Sequence, residues 1–222
     1  MKPKYRCAII GQPPMRFPWG FDEEDDGCCR MKLEMAQRIM ELCQCGVTEF
    51  RVACDPGVGL YAAEIINTLR ENDQALRLIC VLPHEGQATK WTPQLRDRYF
   101  NMLADCTELS CAAYQERPNA QFLAYQQIIK QSEVLMTVYD PDLSNGSAED
   151  KAVAYALALG RPVMLIHPET LKTKWLNVPT EKAPGWTVPQ PKSPVSYFGT
   201  IYISVRGCII NLNDYKSCRK KY

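Results

Sequence analysis

The chain has 222 residues, of which 46% are hydrophobic and 23% charged, and its formal net charge is +1. This composition is typical of a globular protein, and the length suits one well-buried α/β domain with an appendage. A net charge so close to zero gives no general electrostatic attraction to nucleic acid or to a membrane, so we expect neither as a partner.

The sequence carries no sign of export, membrane insertion or metal binding. No segment reaches the roughly 20 apolar residues that span a bilayer, and the first six residues lead into only about five apolar ones, too few for a signal peptide. We interpret the eleven cysteines as reduced thiols and expect a cytoplasmic protein. Neither Cys28-Cys29 nor Cys43-Gln44-Cys45 has the spacing of a zinc site, and His84 and His167 are far apart in sequence.

The hydrophobic pattern predicts strands and helices in alternation. The apolar run at 5–10 predicts a buried strand that ends at Gly11. Residues 28–45 predict a helix, because apolar side chains recur there at helical spacing and Gly46 follows as a C-terminal stop. A second strand is expected at 50–54 and a second helix at 60–69.

The same alternation continues along the chain. A third strand at 76–82 ends at Pro83, and Thr92-Pro93 opens a helix that runs to about 106, with the threonine as N-cap. A weak strand at 109–113 precedes a helix at 118–131 and a strong fifth strand at 134–139. The last predicted elements of this part are a helix at 148–159, which Gly160 ends, and a sixth strand at 162–166.

Six strands separated by helices predict an α/β fold with a mostly parallel sheet covered on both faces. Right-handed crossovers make this a Rossmann-like, doubly wound sheet, in which ligands bind outside the carboxyl ends of the strands. We assign this domain to 1–168. The extension at 169–222 contains a linker at 179–194 and two runs, 197–205 and 208–212, that predict a β-hairpin.

The first two strand ends offer candidate ligand-binding residues. Gly11 permits close backbone approach, Gln12 offers two donors and an acceptor to a base or ribose, and Arg16 could clamp a phosphate. The alternative is a turn glycine followed by ordinary surface residues. The stretch Asp55-Pro56-Gly57, followed by Gly59, places unpaired backbone N–H groups at a helix N-terminus, where an anion could bind. The alternative is a tight turn in which Asp55 caps the helix.

The third strand end adds His84 and Trp91. Trp91 could stack on a base or cover the core. His84, with Glu85 beside it, could serve acid–base chemistry or simply be solvated.

The fifth strand is followed by Tyr139, Asn145, Gly146 and Ser147. Gly146 and Ser147 precede another helix and predict a second anion cradle at a helix N-terminus. The alternative is that Ser147 only caps the helix, although a capping serine at the end of a central strand can do both. We find no Gly-x-Gly-x-x-Gly and no Walker-type sequence, and therefore predict no dinucleotide or other cofactor.

These strand ends resemble the YpsA-type branch of the SLOG superfamily over about 4–168. The resemblance rests on four motifs: Cys7-Ala8-Ile9-Ile10-Gly11, Asp55-Pro56-Gly57 with Ala62-Ala63-Glu64, Val81-Leu82-Pro83, and Val138-Tyr139-Asp140 followed by Gly146-Ser147. SLOG domains are Rossmann-like modules shared by DNA-processing protein A and the cytokinin-activating LOG enzymes. The resemblance implies recognition of a nucleotide or a nucleotide-derived molecule, and it implies a homo-oligomer because related domains commonly pair.

This sequence departs from the family's motifs at positions that matter for catalysis. LOG enzymes cleave the N-glycosidic bond of a nucleotide with a Pro-Gly-Gly-x-Gly-Thr-x-x-Glu motif. Here the matching stretch, 145–150, reads Asn-Gly-Ser-Ala-Glu-Asp, so the double glycine is absent and Glu149 is out of step with the family's glutamate. The branch also often has an acidic residue at the place of Gly59 and a different residue at that of Gln12.

We therefore expect a non-catalytic binder of a cyclic or ADP-ribose-type nucleotide, with no catalytic residue. Since SLOG domains are linked to bacterial conflict systems, the binder would be a sensor or a signal-sequestering sponge in bacterial or phage conflict. The alternative is a LOG-like phosphoribohydrolase, with Glu64, Glu85 or Asp140 supplying the carboxylate and Arg16 clamping the phosphate. A third possibility is a module that interacts with protein or nucleic acid. The net charge near zero argues against nucleic acid as its partner.

Overall fold

A seven-stranded sheet forms the centre of the computed structural model, which describes residues 5–178 and, beyond them, the backbone of Tyr202–Val205 and Cys208–Asn211. The strands in chain order are β1 Tyr5–Gly11, β2 Val47–Val52, β3 Arg77–His84, β4 Glu108–Ala113, β5 Val134–Val138, β6 Val163–Ile166 and β7 Thr173–Leu176. They lie side by side in the order β4-β3-β2-β1-β5-β6-β7. β1 to β6 are parallel, and β7 pairs antiparallel with β6.

Helices cover both faces of this sheet, as the sequence predicts. They are α1 Asp26–Gln44, α2 Val58–Arg70, α3 Pro93–Ala104, α4 Ala120–Lys130 and α5 Ala148–Ala158. Because successive side chains of a strand point to opposite faces, Cys7 and Ile9 of β1 join the core under α1, α2 and α3, whereas Ala8 and Ile10 join the core under α4 and α5. The predicted doubly wound, Rossmann-like architecture is confirmed.

Local signals explain where several helices begin. The Asp25 side chain accepts the backbone N–H of Gly27 at 2.7 Å at the start of α1. Thr92 accepts the N–H of Leu95 at 3.4 Å, next to the proline that opens α3. These caps satisfy N–H groups that have no partner within the helix.

The sheet continues beyond the boundary that we placed at 168. β7 follows directly after it, at Thr173–Leu176. Farther along the chain, β8 Tyr202–Val205 and β9 Cys208–Asn211 pair antiparallel, as expected of the predicted hairpin. The predicted linker at 179–194 lies outside the described residues, and the division into two units stays a prediction.

A buried ionic network joins the first three helices to the loop before α1. The Lys32 side chain, fully buried on α1, contacts Glu23 of that loop at 2.7 Å. Arg98 of α3 contacts the same Glu23 carboxylate at 2.5 Å and also the carboxylate of Glu64 on α2. The Tyr61 ring lies 4.7 Å from the Lys32 ammonium and 5.6 Å from the Arg98 guanidinium, so both cations also contact its π-face. We call this set the α1–α3 ion network.

The cysteines depart from expectation at one position. Eight of them are free thiols in the described part of the chain, and four of these, Cys7, Cys28, Cys54 and Cys80, are buried in the core, but Cys29 is disulfide-bonded. The expectation of reduced thiols throughout is therefore wrong at Cys29. Within the same residues, no helix is long and apolar enough to cross a membrane.

Candidate functional site

The strand order reverses beside β1, and this position defines the candidate site. The chain runs outward from β1 through β2, β3 and β4, then returns to β5 on the other side of β1. The carboxyl ends of β1 and β5 are therefore neighbours, with Gly11 paired to Val138. In open α/β sheets ligands bind in the crevice at such a switch point.

Gly11 and Gln12 close the bottom of this crevice. A Cβ atom on Gly11 would lie 2.4 Å from the Val58 side chain, so only glycine lets β1 approach the start of α2 this closely. The fully buried Gln12 amide donates to the Arg16 carbonyl at 3.0 Å and accepts the Asp140 N–H at 3.1 Å. Gln12 thus joins the loop after β1 to the loop after β5.

Arg16 spans the mouth of the crevice. Its guanidinium donates to the Ser147 hydroxyl at 3.3 Å and to the Leu143 carbonyl, and Nη1 lies 3.9 Å from the Glu149 carboxylate. The side chain is only 15% exposed. A cation at this place can meet an anionic ligand group, but in this structure its donors already face acceptors of the protein.

Two carboxylates are buried at this end of the sheet: Glu149, which lies beside Arg16, and Asp55, whose charge interacts with that of Glu149. The Tyr125 hydroxyl donates to Asp55 Oδ2 at 3.2 Å, whereas no described residue donates to the buried Oδ1. Burial raises the pKa of Asp55 from 3.8 to about 7, and the negative charge of Glu149 adds to this increase. Burial, with both carboxylates nearby, also raises the pKa of Tyr125 well above its ordinary value.

The N-terminus of α2, predicted as an anion site, is covered by the protein. Gly57 has φ of 84°, and a Cβ there would lie 3.0 Å from the Pro14 ring. Asp55 Oδ1 would be 2.6 Å from a Cβ on Gly59, which places the carboxyl group over the first turn of the helix. Pro56 is half-buried between them. A ligand would have to move Pro14 or Asp55 to reach these N–H groups.

The N-terminus of α5 is closed by a capping box. Ser147 accepts the Asp150 N–H at 3.3 Å, and the Asp150 carboxylate accepts the N–H groups of Asn145 and Ser147 at 2.8 and 2.9 Å. The Tyr139 hydroxyl donates to the same carboxylate. Although burial alone would raise it, these hydrogen bonds hold the pKa of Asp150 well below its usual range. The exposed Gly146, at φ of 79°, supplies the turn before the cap.

The remaining predicted residues lie away from the crevice. His84 ends β3, which β2 and β1 separate from β5. The Trp91 ring contacts Tyr99 edge-on, 5.0 Å between centroids, and packs against the core under α1, α2 and α3. The structure therefore brings together Gly11, Gln12, Arg16, Asp55, Tyr139, Asn145 and Ser147, but not His84 or Trp91.

The carboxylates of the alternative catalytic hypothesis are dispersed, and among them only Asp140 lies at the crevice, where its backbone N–H donates to Gln12. Glu64 belongs to the α1–α3 ion network, and Glu85 is exposed after β3. Asp140 accepts the N–H of Asp142 at 2.9 Å and lies 3.9 Å from His167 Nε2. The pair that does meet at the site, Asp55 with Glu149, was not among those named from sequence.

Sequence reasoning left Tyr125 out of the site and named Glu149 only as out of step with the family's glutamate. Tyr125 and Glu149 lie on helices whose faces toward the Asp55 carboxyl group are set by tertiary packing. One signal was available for Glu149, since a charged residue on the first turn of a helix that follows a central strand lies at the ligand edge of such a sheet.

An open groove lies at the opposite end of the sheet. Its volume is about 610 Å³, and it is lined by Arg6, Gln126, Gln127, Lys130, Gln131 and Tyr155. These residues surround the amino ends of β1 and β5. Polar residue types line the groove, but it lies at the opposite end of the sheet from the strand ends at which the sequence predicts a ligand.

The fold and the switch-point crevice define a Rossmann-like domain of the SLOG type. Residues 7–171 match the YspA SLOG family, and the chain belongs to that family. The resemblance read from the strand ends is thereby confirmed.

The chain is also similar to UPF0398 proteins of Halalkalibacterium and Bacillus species. A UPF0398 protein of Halalkalibacterium halodurans is 27% identical over 124 residues, which cover 55% of this chain and 66% of that protein. One from Bacillus velezensis is 28% identical over 145 residues, covering 61% and 75%. The chain thus spans just under two thirds of the length of the Halalkalibacterium protein.

Among solved structures, this chain is similar to DNA processing protein A from Helicobacter pylori, described for its single-stranded DNA binding mode. The TM-score is 0.44 at 15% identity, over 72% of this chain and 64% of that one.

Proposed function

We propose that this protein binds a nucleotide-derived small molecule in the crevice between the carboxyl ends of β1 and β5. The observation that carries the proposal is Arg16, a poorly exposed guanidinium held across the switch point beside the buried amide of Gln12. A guanidinium fork matches the oxygens of a phosphate, and the buried Gln12 amide holds the loop that carries Arg16 against the loop after β5. Membership of the SLOG family supports a nucleotide-related ligand.

The finer form of the proposal concerns the ligand and its fate. The ligand would be a cyclic or ADP-ribose-type nucleotide, kept intact by a sensor or by a sponge that sequesters a signal in bacterial or phage conflict. The dispersal of Glu64, Glu85 and Asp140 supports binding without catalysis by those residues. A homo-oligomer stays part of the proposal.

One observation favours a second candidate, hydrolysis of the N-glycosidic bond of a nucleotide. Asp55 and Glu149 are buried together, and the raised pKa of Asp55 is typical of a carboxyl group that can donate a proton near neutral pH. In this candidate Asp55 would be the acid and Glu149 the second carboxylate. Its distinguishing product is a free base.

Native mass spectrometry of the purified protein, followed by denaturing release of bound molecules, tests both candidates. Binding predicts an added or co-purified nucleotide recovered unchanged, whereas hydrolysis predicts a base and a ribose phosphate that are absent from controls. Arg16→Gln should weaken binding at least tenfold, since it removes a charged phosphate contact. Arg96→Gln, at an exposed position of α3, is the matched control. Failure of every nucleotide in a broad panel to bind the wild-type protein would contradict the proposal.

A further inference from the structure

Arg16 is already occupied by acceptors of the protein. Ser147 and Leu143 take two of its hydrogen bonds, and Glu149 supplies the negative charge at 3.9 Å. Glu149 is itself 7% exposed, so it cannot be solvated in place of this contact. An anionic ligand must therefore compete with Glu149 for the same guanidinium.

We propose that Glu149 is an internal competitor for the ligand's anionic group, so that binding replaces Glu149 on Arg16 and the Asp55–Glu149 pair takes up a proton from solvent. The proposal rests on the proposed function, because it concerns the same crevice and the same ligand. It assigns Glu149 as a residue that determines both the charge selectivity of the site and its response to pH.

The proton uptake follows from the surroundings of Glu149. Among the described residues, Glu149 interacts with Arg16 from the loop after β1, with Asp55 from the end of β2 and with Tyr125 from α4. Only Arg16 is a cation. Once Arg16 turns to a ligand, two carboxylates remain buried with no positive partner among these groups, and a buried charge without a partner is neutralised by protonation.

The neighbouring ionisable groups are engaged elsewhere. Asp150, next on α5, accepts from Tyr139 and from backbone N–H groups. Asp140 and His167 face each other at 3.9 Å at the ends of β5 and β6. The charge balance of the exchange therefore involves Arg16, Asp55 and Glu149.

The direction of the pH effect is fixed by this exchange. If the bound state holds more protons than the free state, affinity falls as pH rises. The fall should begin near pH 7, where Asp55 in the free protein loses its proton, and it should reach at most about tenfold per pH unit for one proton. An uncharged ligand does not displace Glu149 and should show no such dependence.

Isothermal titration calorimetry with AMP, ADP-ribose and uncharged adenosine tests the proposal. Each would be titrated at pH 6 and pH 8 in two buffers that differ in ionisation enthalpy, since the difference in heat counts the protons taken up. The proteins are wild type, Glu149→Gln and Asp142→Asn. Asp142 is an exposed carboxylate in the same loop as Leu143 and serves as the charge-matched control.

The expected result is that Glu149→Gln binds AMP or ADP-ribose about fivefold or more tightly at pH 8, with proton uptake reduced to less than half. Asp142→Asn should behave as wild type, and adenosine should cause no proton uptake. Unchanged or weaker nucleotide binding by Glu149→Gln, with unchanged proton uptake, would overturn the inference and leave the proposed function standing. If the variant does not fold, the absence of proton uptake by wild type on binding overturns it equally. If neither nucleotide binds any of the proteins, and no other nucleotide of the broad panel binds the wild type, the proposed function itself fails and the inference falls with it.

Discussion

At the scale of single residues, Asp55 has a buried carboxyl group, and its surroundings disfavour the ionised form. Its carboxyl group is buried, and its pKa rises from 3.8 to about 7. The native state therefore binds this proton more tightly than the unfolded state does. Stability is unaffected below pH 4, falls as pH rises from about 4 to about 7, and stays reduced above that range.

Asp55→Asn should remove this dependence. The gap between 3.8 and about 7 corresponds to roughly 4 kcal/mol at high pH, of which part is already lost at pH 5. The free energy of unfolding of the variant minus that of wild type should therefore increase by roughly 2 to 3 kcal/mol from pH 5 to pH 8. Urea denaturation at the two pH values measures it. An equal effect of the substitution at both would contradict the buried, proton-binding state of Asp55.

Comparing alanine substitutions at Gly57 and Gly20 distinguishes the cost of a positive φ from the cost of a steric clash with a neighbouring residue. Both have positive φ, 84° and 57°, but only Gly57 has a neighbour that a Cβ would meet, the Pro14 ring at 3.0 Å. Gly20→Ala should lower the free energy of unfolding by about 1 kcal/mol. Gly57→Ala should cost at least about 1 kcal/mol more, because Pro14 must also shift. Equal losses in thermal or urea denaturation would show that Pro14 does not lie against Gly57.

Sequence reasoning reached part of the site and not the rest, for a physical reason. Gly11, Gln12, Arg16 and Ser147 follow strands, and parallel strands bring their carboxyl ends to one edge, so their proximity could be predicted. The contact of Tyr125 with Asp55 depends on how α4 rotates on the sheet, which no local pattern specifies. Periodicity also cannot tell that Asp150, three residues beyond Ser147 in the first turn of α5, fills the predicted anion cradle.

At the scale of elements, the hydrophobic pattern placed β1 to β6 and α1 to α5, with ends displaced by up to three residues. The strand β7 was missed because Thr173–Leu176 is short and lies at the sheet edge, where only one neighbour imposes a pattern. Trp175 nevertheless packs against the core. A strand of four residues with a lysine inside it carries too weak an alternation to be recognised.

The α1–α3 ion network should contribute more to the free energy of unfolding than ion pairs at the surface do. Arg98 is 7% exposed and joins Glu23 to Glu64, so Arg98→Met leaves Glu64 without its cation and Glu23 with Lys32 alone. We expect a loss of about 3 kcal/mol or more in free energy of unfolding. Arg77 also contacts two carboxylates, Glu49 and Glu108, but its side chain is 47% exposed. Arg77→Met should cost less than about 1 kcal/mol by the same urea denaturation, and a reversed order would contradict the burial of the network.

At the scale of the whole molecule, the described part of the chain offers both the crevice and the open groove as places where a small molecule could lie. The crevice at the carboxyl ends of β1 and β5 is sealed by Gln12 and Arg16, whereas the groove of about 610 Å³ at the amino ends is open. Accessibility to solvent alone would favour the groove as the ligand site. Charge, buried amides and the position of the strand reversal favour the crevice, and these are the features that recognise a phosphorylated ligand.

Hydrogen–deuterium exchange of backbone amides, with and without the nucleotide recovered by native mass spectrometry, tests the central claim most directly. If the ligand lies at the switch point, protection should increase at 11–17 and 139–147, the two loops that Gln12 joins. Amides at 126–131, which line the open groove, should exchange at an unchanged rate. Protection confined to 126–131, with none in the two loops, would contradict the account.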